Sequence, residues 1–202
     1  MPSIYQLKPA FQNLLRPLLR SLVKMGITAN QVTIFAMVLS LFTGLIIVKF
    51  GQFNQIFFII PIVLFLRMAL NAIDGMLARE FDMKSPLGAI LNELGDVISD
   101  AALYLPFALF TDAHPTWIVL IVVLTVISEM TGVVALQIGA SRRYDGPMGK
   151  SDRAFVFGLL AIFIGIGVNL IRWLPYVYAG INTLLIMTII NRARNALKEI
   201  SC

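Results

Sequence analysis

"NAIDGMLAREFDMKSPLGAILNELGDVISD", residues 71–100, sets Asn71, Asp74, Asn92, Glu93, Asp96 and Asp100 beside or inside long apolar runs. A carboxylate at the centre of a membrane helix costs on the order of 2.5–3.5 kcal/mol by insertion scales. A chain that keeps several at helical spacing uses them, and the use that fits their chemistry is to hold metal ions against a phosphorylated substrate. On the apolar segment leading in, "FLRMALNAIDG", Arg67, Asn71 and Asp74 stand at i, i+4 and i+7 and share one helix face. Gly75 follows, where the missing side chain lets a ligand approach the backbone. On the segment leading out, Gly88, Asn92, Asp96 and Asp100 recur every four residues along one face. A short polar link with Ser85 and Pro86 joins the two, which predicts antiparallel neighbours whose polar ends meet near one membrane boundary. A helix-bridging role suits Asn92 taken alone. It does not suit the whole set, because bridging needs no such surplus of negative charge.

Outward from this stretch the chain reads as an all-α, polytopic integral membrane protein. Of its 202 residues 58% are hydrophobic and 13% charged, outside the balance of a soluble globular domain. Apolar runs long enough for a hydrocarbon core of about 30 Å predict six transmembrane helices, at 31–50, 54–74, 87–110, 115–138, 152–171 and 174–192. They leave room for one membrane domain, 29–202, preceded by an amphipathic helix and lead-in loop over 1–28. In that helix Arg16, Arg20 and Lys24 recur every four residues, opposite Leu14, Leu15, Leu18, Leu22 and Val23. This is the pattern of a helix lying along an anionic membrane surface, with Pro17 marking its first turn or a kink. The segment lacks the apolar core and cleavage site of a targeting peptide.

Basic residues set the orientation. Lys8, Arg16, Arg20 and Lys24 precede the first span, and Arg79 and Lys84 follow the second. Arg142, Arg143, Lys150 and Arg153 lie between the fourth and fifth, and Arg192, Arg194 and Lys198 end the sixth. The remaining connections carry Lys49 and Arg172 at most, so both termini and the 71–100 stretch are expected on the cytoplasmic side. The net charge of +5 points to membrane lipids and anionic substrates rather than to nucleic acid. Cys202 stands alone at the last position and carries no redox reading.

With these residues in view, the chain resembles the CDP-alcohol phosphatidyltransferases, whose signature runs D-x2-D-G-x2-A-R-x8-G-x3-D-x3-D. Asp74, Gly75, Ala78, Arg79, Gly88 and Asp96 match it at the correct spacing, while Asn71 and Asn92 replace its first and third aspartates. "GITANQVT", residues 26–33, is similar to the family's opening to its first span, with Ala29 where proline is frequent. The resemblance implies a metal-dependent enzyme of phospholipid synthesis. It would transfer a phosphatidyl group from CDP-diacylglycerol to a cytoplasmic alcohol, phosphorylated or not, and release CMP. By the same resemblance Asp74 and Asp96 are catalytic and metal-binding, with Asp96 as general base, and Gly75, Ala78, Arg79 and Gly88 shape the nucleotide site. The oxygen ligands suit Mg²⁺ or Mn²⁺ and the resemblance implies a homodimer, while compactness and topology suggest a bacterial inner membrane.

The two asparagines keep carbonyl oxygens but remove two formal charges. Two divalent ions against four carboxylates are neutral; against Asp74 and Asp96 they leave two net positive charges. Either the diphosphate of the substrate supplies the balance, or one metal binds, or Glu93 or Asp100 substitutes. Glu93 lies about 100° round the helix from Asn92, and Asp100 one turn deeper than Asp96, about 6 Å along the axis. The candidate metal set is therefore Asn71, Asp74, Asn92, Asp96 and Asp100.

Other polar residues remain. Glu129 inside the fourth span is either functional or a helix-bridging group. In "GKSDRAFVFG", Lys150 and Arg153 sit at a helix start whose free N–H groups favour phosphate; with Arg142 and Arg143 they form a candidate pocket for an anionic headgroup, or a plain cytoplasmic anchor. His114 beside Pro115 reads as a loop residue. The asparagines also allow a different class of protein, a non-catalytic binder of CDP-lipid or cytidine nucleotide. A transporter fits poorly, since the polar cluster lies near one face and has no second copy.

Overall fold

The computed structural model describes residues 4–110, 114–170 and 172–201, with side chains described from Phe11 onward. Cys202, residue 171 and the side chain of Lys8 lie outside the described residues. Regular structure among the described residues is entirely helical: α1 (Ile4–Lys24), α2 (Ala29–Phe50), α3 (Ile59–Glu80), α4 (Pro86–Tyr104), α5 (Phe107–Phe110), α6 (Thr116–Val134), α7 (Lys150–Gly165) and α8 (Leu174–Ile200). A 3₁₀ turn at Asn54–Phe58 leads into α3 and another at Ala135–Ile138 extends α6.

Four stretches are long and apolar enough to cross a membrane, at Ala29–Phe50, Asn54–Glu80, Thr116–Ile138 and Leu174–Ile200. The other two expected spans differ. That at 87–110 breaks after Tyr104, where Pro106 lacks the N–H needed to continue the helix, and α4 carries Glu93, Asp96 and Asp100. That at 152–171 ends at Gly165, and Gly167 turns the chain with φ +77°. The second and last expected spans run beyond their predicted ends, to Glu80 and Ile200, so Asp74–Arg79 is wholly helical. Phe35, Phe42, Leu45, Phe65 and Phe155 are all more than half exposed on the outer surface. So much open apolar area belongs in lipid. The protein is a multi-pass membrane protein.

Helix α1 continues through Pro17 and packs Leu15, Leu19, Leu22 and Val23 on Ile73, Met76 and Leu77 of α3 and on Ala29 and Val32 of α2. Leu14 and Leu18 stay outside, which leaves the helix a second apolar edge toward the membrane surface. Gly26, at φ +74°, closes α1 in the left-handed conformation that costs glycine nothing. Thr28 then opens α2 with a capping box: its hydroxyl accepts from the Gln31 N–H (3.3 Å) and the Gln31 side chain accepts from the Thr28 N–H (2.9 Å).

The expected pairing of α3 with α4 is corrected. Both pack mainly on α2 instead, which comes closest to α4 at Gly44, where a Cβ would collide with the Ala102 carbonyl. At the opposite end, where α2 and α4 begin and α3 finishes, a polar cleft opens among the three helices. Ser85 caps α4, its hydroxyl accepting from the Gly88 N–H (2.9 Å), with Pro86 in the first turn. Beyond the cleft the bundle is closed by a dry core, where Tyr104 stacks on Phe157 at 4.0 Å and Phe107 meets both Phe57 and Phe157 edge-on.

Candidate functional site

Three clefts converge where α3, α4 and α7 face one another. The first, about 450 Å³, runs between α2, α3 and α4 and is lined by Thr33, Asn71, Asp74, Gly75, Arg79 and Asn92 among others. Ala78 and Gly88 also line it. The second, about 250 Å³, includes Asn92, Glu93, Asp96, Glu129, Arg142 and Lys150 in its wall. The third begins at Arg67, Asn71 and Lys150 and continues along Leu64, Met68 and Ala154 into an apolar groove of about 410 Å³ between α3 and α7. Asn71 is shared by the first and third, Asn92 by the first and second, and Lys150 by the second and third.

In the first cleft Asp74 accepts a 2.8 Å hydrogen bond from the Thr33 hydroxyl. Gly75 allows Arg79 to fold back on its own helix, for a Cβ there would lie 3.1 Å from the guanidinium. At Gly88 a Cβ would press to 2.7 Å on Asn30, whose amide donates to Ser85 (3.3 Å). The signature glycines are thus places where backbone and polar groups crowd the cleft. Neither Asp74 nor Arg79 forms an ion pair among the described residues.

Asp96 lies at the convergence and is a quarter exposed. Lys150 donates to its Oδ1 (2.5 Å), Arg67 approaches the same oxygen (3.4 Å) and the Asn71 amide reaches it at 3.5 Å. Asp74 and Asp96, with the side-chain oxygens of Asn71 and Asn92, form an all-oxygen set of the kind hard divalent ions accept. Among the described residues no three His, Cys, Asp or Glu side chains gather as a metal site, so a metal here needs the asparagine oxygens or oxygens of its substrate.

The structure places Asp100 elsewhere. It is buried, with Oδ1 accepting from Arg67 (2.6 Å) and Oδ2 from Arg153 Nε and Nη2 (3.1 and 2.8 Å). With both oxygens occupied and no place in the three clefts, it is a counter-ion in the wall instead of an expected metal ligand. Arg153, expected in an anion pocket, is likewise buried, between Asp100 and Glu129 (2.9 Å). Glu129 is held from three sides: Arg142 (3.0 Å), Arg153 and Arg192 (3.3 Å) converge on it. Arg142 also grips both oxygens of Glu93 (3.0 and 2.8 Å). Burial opposes the charge on Arg142, but its bonds to Glu93 and Glu129 outweigh that and raise its pKa above the ordinary arginine value. Arg143 lies at the rim, paired with Asp145 (2.7 Å) and Glu199 (2.8 Å).

Reading the sequence missed Thr33 and Arg192 as members of this site. Thr33 is the last residue of the "GITANQVT" segment, and only its spacing of one turn from Ala29 placed it on the inner face. Arg192 had the look of a topology charge, yet it is buried and donates to the Ser128 carbonyl (2.6 Å) and the Asp145 carbonyl (3.2 Å).

Residues 26–190 match the sequence model of a family described as CDP-alcohol phosphatidyltransferase. The chain is 47% identical to the inner membrane protein YnbA of Escherichia coli K12 over 195 residues, covering 96% of each. It is 36% identical over 105 residues to an uncharacterized protein of Aquifex aeolicus, about half of each chain. Its fold is similar to that of the phosphatidylinositol phosphate synthase PgsA1 of Mycobacterium tuberculosis, crystallised in complex with manganese and citrate (TM-score 0.70, 21% identity, 90% of this chain and 88% of that one). The same enzyme with CDP-DAG bound superposes with a TM-score of 0.67 at 21% identity, over 91% and 92% of the two chains.

Proposed function

The chain belongs to the CDP-alcohol phosphatidyltransferase family, and from that premise we propose that it transfers a phosphatidyl group from CDP-diacylglycerol to a cytoplasmic alcohol and releases CMP. The observation that carries this reading is the meeting of three unlike clefts at Asn71, Asn92, Asp96 and Lys150. The polar cleft along Asp74, Gly75, Ala78, Arg79 and Gly88 takes the cytidine diphosphate. The apolar groove between α3 and α7 takes an acyl chain while the rest of the lipid stays in the bilayer. The second cleft takes the alcohol.

The acceptor hydroxyl is then held beside Asp96. Its oxygen forms a bond to the phosphorus carrying the lipid as the bond from that phosphorus to the CMP phosphate breaks; CMP leaves with the electron pair and Asp96 takes the proton. Asp96 is a partly exposed carboxylate that both lines the second cleft and meets Asn71, and Lys150 and Arg67 hold it in place. Arg79 offers positive charge to the diphosphate. A divalent ion, Mg²⁺ or Mn²⁺, would be held by Asp74 and Asp96 with the oxygens of Asn71 and Asn92, and when bound supplies neutralisation of the diphosphate oxygens.

We take six crossings with both termini cytoplasmic as the arrangement in a bacterial inner membrane, with α4 and α7, which also turn apolar side chains such as Leu94 and Phe155 outward, as two of the six. The amphipathic 1–28 region lies on that face, and a homodimer follows the family. Acceptor-dependent CMP release by the purified protein, with Mg²⁺ or Mn²⁺ and lost in Asp96→Ala, tests the reading. Asn71 and Asn92 favour one second reading, a CDP-lipid binder. It predicts ligand binding without CMP release, and release restored when both residues are changed to Asp.

A further inference from the structure

Resting on that reading, we infer that the acceptor is an uncharged polyol and not a phosphate ester. The second cleft borders Asn92, Asp96 and Lys150, so a molecule held there is beside the reacting centre. Its basic wall residues are Arg142, Lys150 and Arg192, and each is already engaged by a carboxylate: Glu93 and Glu129, Asp96, and Glu129 respectively. Behind the wall Arg67 and Arg153 share Asp100. Counting Asp152, which lines the cleft without an ion pair among the described residues, the layer holds five cations and five carboxylates, and its formal charge is zero. A divalent ion joining the site is matched by the diphosphate of the lipid substrate. A phosphate monoester in the second cleft would bring up to two further charges with nothing left to balance them, in a place where unpaired charge is costly.

Two further observations agree. At the start of α7, where free N–H groups would attract a phosphate, the Asp152 carboxylate accepts from the Gly149 N–H (2.9 Å) and already places a negative charge there. Arg142 is used on every side: Nε and Nη2 reach Glu93, Nη2 also Glu129, and Nη1 the Arg143 carbonyl. What the wall still offers is an alternation of carboxylate edges and paired cations. A hydroxyl suits it, since one O–H can donate to a carboxylate and accept from a cation. Polyols present several such groups in a row, and a cleft of about 250 Å³ has room for a small one.

Purified protein with CDP-diacylglycerol and Mn²⁺ is assayed for CMP release with glycerol, inositol, their monophosphates and serine in turn. Uncharged polyols are expected to exceed the phosphate esters in kcat/KM by at least about ten-fold, the factor that 1.4 kcal/mol of discrimination supplies. Alongside, inorganic phosphate is titrated into the wild type and Glu93→Gln while thermal unfolding is followed. The wild type is expected to show no shift, and Glu93→Gln, which frees part of Arg142, an upward one. Preference for a phosphate ester or for serine overturns the inference, as does a phosphate-dependent stabilisation of the wild type that Arg142→Gln removes. Should no acceptor release CMP, the transfer reading fails by itself, and the phosphate titration still decides the charge preference of the cleft.

Discussion

The two polar clefts are built on opposite electrostatic plans. In the first, neither Asp74 nor Arg79 has an ion-pair partner among the described residues, so their charges are left for a ligand in the cleft. In the second and the wall behind it, each of five cations is met by a carboxylate 13 to 63 residues away in sequence. The difference separates two tasks. A cleft that must take a diphosphate and a metal keeps its charges open for them, while a wall that must stay rigid inside a membrane closes its own. Asp100 shows the division most clearly: it continues the Asn92–Asp96 spacing, yet one turn deeper it belongs to the wall.

Breaking the wall is expected to give the largest effect. Asp100→Ala leaves Arg67 and Arg153 buried without their shared partner, and losing one member of a buried pair costs about 3–5 kcal/mol. Thermal unfolding in detergent should show a midpoint drop large enough to impair recovery of folded protein, while Asp74→Ala leaves the midpoint near that of the wild type. Next is Asp96→Asn, which keeps shape and removes the proton acceptor; CMP release should fall by about 10²–10⁴-fold with folding intact. Thr33→Ala removes a side-chain hydrogen bond that orients Asp74, and a loss of about 1 kcal/mol is expected, read as a raised metal requirement for CMP release. Smallest of all is Arg16→Ala. Its pair with Glu80 (2.8 Å) ties α1 to α3 at an exposed site, where such pairs contribute about 0–1 kcal/mol.

Much of the open cleft was legible in the sequence, because its residues lie on two adjoining segments at helical spacing. Asn71, Asp74, Gly75, Arg79, Gly88 and Asn92 line one cleft, and most apolar runs mark where a helix begins though not where it ends. The closed wall was not legible. Glu129 with Arg153 and Arg192, or Asp100 with Arg67 and Arg153, are partners from different helices, and nothing local marks which arginine answers which carboxylate. The same reason hid the role of α2: an apolar helix with Gly44 at its waist reads as one span among several, yet it is the support that holds α3 and α4 apart. The early end of α7 was obscured because "GIGVNL", residues 165–170, stays apolar after the helix has stopped.

The most direct test is a structure of the protein with CDP-diacylglycerol and Mn²⁺, the metal located by its anomalous scattering. The account predicts manganese between Asp74 and Asp96 against the diphosphate, with Arg67–Asp100–Arg153 and Glu93–Arg142–Glu129 unchanged. Manganese bound to Asp100, or a ligand phosphate that pulls Arg142 or Arg153 away from its carboxylates, would contradict it.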